Sequence, residues 1–118
     1  MIVSEWLRCR PWLLAALEHA VDRFNEDDIV RGLLNGEYQL WPGPDAAVVT
    51  QIAVYPQRKV LLFFLAGGNL NTLTGMERDI AERAKAAGIT QVEIVGRRGW
   101  LRALDGYEER FTMMTRDL

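Results

Sequence analysis

The stretch KVLLFFLAGGN, residues 59–69, decides how this chain is read. Val60 to Ala66 is an unbroken apolar run closed by Gly67 and Gly68. That is the length of a buried strand, and far short of the roughly 18–20 apolar residues that a membrane span needs. A strand apolar on both faces belongs in the middle of a sheet. Two glycines then turn the chain out of it, and Asn69 or Asn71 is placed to cap a following helix.

Two more strands precede this one. Residues 38–41 end at Pro42-Gly43-Pro44, where proline fixes φ and glycine is free to take a positive one. Residues 46–54 are rich in valine and threonine, and Tyr55-Pro56-Gln57-Arg58 reads as a loop. Three consecutive, closely linked strands are most simply an antiparallel meander. Upstream, Pro11 suits the first turn of a helix, with Trp12, Leu13, Leu14, Leu17, Ala20, Val21 and Phe24 recurring at steps of three and four. Asn25 reads as the N-cap of a second helix carrying Glu26, Asp27 and Asp28 in its first turn, and Asn35-Gly36 as its stop. Downstream, Leu73 to Ala87 is helical in period, residues 91–95 form a strand, residues 98–104 a short helix and residues 109–115 a last strand. The order α-α-β-β-β-α-β-α-β predicts one mixed α/β (α+β) domain over residues 1–118, a mostly antiparallel sheet flanked by helices.

Composition narrows the function. Fourteen Lys+Arg against sixteen Asp+Glu leave a net charge of −2. That balance excludes a protein built mainly to neutralise nucleic-acid phosphates. Cys9 and His19 are single residues of their kinds. An internal disulfide and a Cys- or His-rich metal site are thereby excluded, and no metal is expected. The N-terminus shows no basic region followed by an apolar one, so a cytoplasmic location is the expectation.

From Trp41 onward, the order of parts resembles the GNAT acyltransferase superfamily. The residues that carry the resemblance are VLLFFL at 60–65, the helix ending AKAAG at 84–88, VEIV at 92–95, and GWLRALDGY at 99–107 before the final strand. The pairing of GRRGW with Gly106-Tyr107 looks like small GNAT-like proteins of bacteriophage and prophage structural-gene regions. The resemblance implies acetyl-CoA as cofactor and acyl transfer to an amine. It has the backbone of Phe64, Leu65 and Ala66 meeting pantetheine, and Gly67, Gly68, Asn69 and Asn71 holding the pyrophosphate, with charge from Arg97 or Arg98. The other reading it leaves open is a GNAT-derived binding or structural part of a phage particle, hence virion-associated. The family's Gln/Arg-x-x-Gly-x-Gly/Ala loop is not matched. Its usual tyrosine acid is also missing, since no hydroxyl lies between Gly96 and Gly106.

The candidate catalytic residues are therefore Glu93 as base and Tyr107 as acid, each with a plainer alternative. Glu93 also reads as a solvated strand residue, and Tyr107 as a packing residue. Glu37, Asp45 and His19 are the other groups able to take a proton. The arginines near residue 100 read equally as a solvated face paired with Asp105, Glu108 and Glu109. Trp6, Cys9 and Trp12 suggest a partner or homo-oligomer surface in the N-terminal region, where Met1-Ile2-Val3 looks strand-like. Core packing explains Trp12 without a partner.

Overall fold

The computed structural model describes residues 2–20, 23–96 and 99–118. A four-stranded sheet in the order β1-β2-β3-β4 lies at its centre: β1 Tyr38–Pro42, β2 Ala46–Val54, β3 Lys59–Gly68 and β4 Gln91–Ile94. The first three form the expected antiparallel meander, and β4 pairs parallel to β3. Helices α1 (Val3–Leu17) and α2 (Glu26–Leu34) cover one face, and α3 (Leu70–Ala86) the other. A short α4 spans Gly99–Ala103.

Each face has its own core. Trp6, Cys9, Leu13 and Leu17 recur at steps of three and four along α1 and pack with Ile29, Leu33 and Tyr38 against Val49 and Leu65. On the opposite face Leu73, Ile80 and Ala84 of α3 meet Val48, Leu61 and Phe63. The helix expected from Pro11 in fact starts at Val3, with Pro11 inside it and exposed. Trp6 and Cys9 extend the buried stripe back across the proline, and their burial outweighs the lost backbone hydrogen bond. The strand-like start expected at residues 1–3 gives way to helix at Val3, with Ile2 as its N-cap, and Met1 lies outside the described residues. Asn25 caps α2 as expected, in a reciprocal pair with Asp28 at 3.0 Å each way. Arg10 pairs with Glu26 and ties α1 to α2.

Residues 109–115, expected as a last strand, form none and lie exposed. Alternation qualifies a segment for a ladder, but a strand also needs a neighbouring strand, and among the described residues no strand pairs with this segment.

Candidate functional site

The site is built on an irregularity in β3. In its ladder with β2, Val49 faces Leu65 and Thr50 faces Phe63, so Phe64 is one residue too many. This is a β-bulge, and it puts Phe64 and Leu65 consecutively on the α1/α2 face. The aromatic ring of Phe64 is held there by Phe24, edge-on at 4.8 Å, and by Tyr38, stacked at 5.2 Å. On its other side β3 pairs with β4 from Val60–Gln91 to Phe63–Ile94, and the pairing stops where the bulge begins. Beyond it β3 runs on to Gly68 still paired with β2, so residues 64–68 have no β4 partner on their other edge.

Glu93 faces Leu62, one pair before that ladder ends. Its neighbours Val92 and Ile94 pack into the α3-side core, so strand alternation puts the Glu93 side chain on the α1/α2 side, half-buried. Tyr107 is elsewhere. Its hydroxyl donates to Glu77 Oε1 of α3 at 2.8 Å. Burial first, then the hydrogen bond to Glu77, pushes that hydroxyl well above the ordinary tyrosine range. Glu93 and Tyr107 thus belong to opposite faces of the sheet, and a tyrosine bound to a carboxylate makes a poor proton donor.

The turn from Gly67 to Asn71 is tightly occupied by the chain itself. A side chain on Gly67 would stand 2.3 Å from the carbonyl oxygen of Trp12, so this glycine lets the α1 backbone approach the sheet. Gly68 has φ +110°, and a Cβ there would meet Ala46 Cα and the Asp45 carbonyl oxygen at 2.5 Å. Asn69 caps α3 by accepting from the Thr72 N–H at 3.1 Å, while its own N–H donates to the Asp45 carbonyl at 3.0 Å. The Thr72 hydroxyl donates to the Asp45 carboxylate. The positive end of α3 is therefore satisfied by Asn69 and faces a carboxylate. Asn71 is exposed, and Arg97 and Arg98 lie outside the described residues.

A groove of 340 Å³ runs between α3 and the end of α4, lined by Thr74, Glu77, Arg78, Glu82, Lys85 and residues 103–105. Among the described residues no three Cys, His, Asp or Glu side chains converge as metal ligands. Trp6 and Cys9, candidates for a partner surface, are buried in the α1-side core at 7% and 0% exposure. The exposed apolar residues of that region are Ile2, Val3 and Leu7. His19 and Glu37 are exposed, and neither lies on β3 or β4. No described helix is long and apolar enough to cross a membrane.

No family model and no curated protein matches the chain. Solved structures do. Wild-type TTHA1254 from Thermus thermophilus aligns at 20% identity with a TM-score of 0.57, covering 80% of this chain and 94% of that one. A point mutant of the same protein aligns at 19% identity with the same TM-score and coverage. The likeness is one of fold.

Reading the residues in order missed two features, the bulge at Phe64 and the bond between Tyr107 and Glu77. The first hides inside an uninterrupted apolar run, where no alternation marks a phase change. The second joins residues thirty apart on different elements. Its one sequence sign is that Glu77 stands four residues after Leu73, on the flank of the buried stripe.

Proposed function

We propose that this chain is a GNAT-like domain that admits an acyl-CoA thioester between β3 and β4 and passes its acyl group to an amine. The observation that carries the reading is the bulge at Phe64, where the β3–β4 ladder ends at Phe63–Ile94 and residues 64–68 are left without a β4 partner. That edge suits the amide groups of a pantetheine arm, which can pair with it as a short extra strand. Acetyl-CoA supplies an activated thioester. The chain's own contribution is to orient the amine and to take its proton through Glu93, the carboxylate one pair before the ladder ends. The turn at residues 67–71 suits a phosphate poorly, because Asp45 stands against it.

A second reading has its own support. Asp45 at the N-terminus of α3 and the commitment of Tyr107 to Glu77 favour a GNAT-derived protein that binds or builds without catalysis, including as part of a phage particle. Mass-spectrometric detection of acyl transfer from acetyl-CoA to a panel of small amines separates the two. The enzyme reading expects a product, and a fall in rate of about 10²–10⁴ in Glu93→Gln with acetyl-CoA affinity retained. Binding without product supports the second reading, and equal rates in wild type and Glu93→Gln remove Glu93 from the mechanism.

A further inference from the structure

One row of side chains crosses the whole sheet on its α1/α2 side. The register pairs Tyr38 with Gln51, Gln51 with Leu62, and Leu62 with Glu93. Directly paired residues point to the same face, and Tyr38 belongs to the α1-side core, which fixes that face. Past Tyr38 the row leaves the core. Gln51, Leu62 and Glu93 are each half-buried, and Leu62 belongs to neither core. The packing under α1 falls further along the strands, on Ala47, Val49 and Leu65. Phe64, held by Phe24 and Tyr38, bounds the row at that end. Among the described residues neither Gln51 nor Glu93 has a hydrogen-bond or ion-pair partner. Neighbouring strands are about 4.8 Å apart, so these two polar side chains stand about 9–10 Å apart with the apolar Leu62 between them.

We propose that the row Gln51–Leu62–Glu93 is the acceptor site, and that its ligand is a monoamine bearing a neutral hydrogen-bonding group some five carbons from the nitrogen. Its role as acceptor site rests on the acyl-transfer reading above. The ammonium group pairs with Glu93, the carbon chain lies on Leu62, and the far group meets the Gln51 amide, which both donates and accepts. Charge selects against a diamine. Glu93 is the one charged side chain of the row, and the next row on the same face, Ala53–Val60–Gln91, adds none. A second ammonium would therefore give up water for an amide instead of a carboxylate. In the reaction Glu93 takes one proton from the ammonium. The free amine then forms its C–N bond as the C–S bond breaks, and the nitrogen's second proton passes to the departing thiolate. Glu93, one pair before the β3–β4 ladder ends, puts the nitrogen near the unpaired residues 64–68, and Gln51 leads the rest of the ligand away across β3.

Two measurements on the full chain test this. Without acetyl-CoA, the side-chain amide NMR signal of Gln51 is expected to shift with a five-carbon amino alcohol. It should stay in place with hexylamine, where a methyl group replaces the hydroxyl. In acyl transfer from acetyl-CoA, the amino alcohol is expected to exceed both hexylamine and the five-carbon diamine by about 3–10-fold in kcat/KM, the worth of one neutral hydrogen bond. Gln51→Leu is expected to erase the preference over hexylamine. Gln51→Glu is expected to turn the preference toward the diamine, and both variants keep their affinity for acetyl-CoA. An unmoved amide signal, equal use of the three amines by the wild type, or an unchanged preference in Gln51→Glu would overturn the proposal while leaving acyl transfer standing. A moved signal with no acyl product from any amine would keep the amine-binding row and remove the acyltransferase reading.

Discussion

The two sides of β3 behave differently, and the contrast organises the molecule. Toward β2 the strand is paired along its whole length, from Lys59–Val54 to Gly68–Ala46, and absorbs one extra residue without losing the ladder. Toward β4 the same strand holds only four pairs and then parts company. An antiparallel neighbour joined by a tight turn is held in register by that turn and by facing side chains on both faces. The parallel neighbour arrives through α3 and depends on a short run of pairs and on packing beneath it. The closed side therefore carries stability, and the open side is the one the proposed thioester would meet.

Mutations can sharpen that contrast. The largest expected effect is Leu65→Ala, a truncation at 5% exposure on the closed side, which should cost about 3–4 kcal/mol in urea unfolding. Gly67→Ala should follow at about 2–3 kcal/mol, since its Cβ would press on the Trp12 carbonyl. For the same reason a substitution at Gly67 or Gly68 reports on folding before it reports on any phosphate. Ile94→Ala on the half-buried open side should cost less, about 1–2 kcal/mol. Equal losses at Leu65 and Ile94 would break the contrast.

The smallest effect is a pH dependence. The hydroxyl of Tyr107 is raised by burial and by Glu77 above its unfolded value of about 10. Its protonated form is thus the one favoured by folding. That contribution is fully present below about pH 10 and is lost as pH rises through the folded value. Tyr107→Phe should remove this alkaline loss while leaving the acid side of the stability profile unchanged, as chemical denaturation across about pH 8–11 would show.

Local signals in the sequence were enough for much of the architecture. Asn25 with Asp28 announces the start of α2 because a cap is made within four residues. Residues 46–54 are bounded by turn chemistry on both sides, and β2 has those limits. Pro11 misled because it is judged by its own backbone, while the position of α1 is set by Trp6 and Cys9 meeting a sheet that is distant in sequence. Gly67 and Gly68 read as a turn out of a strand or as a pyrophosphate turn, and what requires glycine there is the close approach of α1 and β2. Glu93 could be placed on a strand but not next to the end of its ladder, because that end falls at the bulge on the neighbouring strand. Residues 109–115 have the alternation of a strand but belong to none of the four described strands, because alternation says nothing of whether a ladder lies alongside.

The central claim is that the open side of β3 receives an acyl-CoA thioester. The most direct measurement is unfolding stability of the full chain against increasing acetyl-CoA. At 100 times its dissociation constant the ligand should add about 2.7 kcal/mol, with calorimetry giving one site per chain. No change in stability and no heat at millimolar acetyl-CoA would contradict the account.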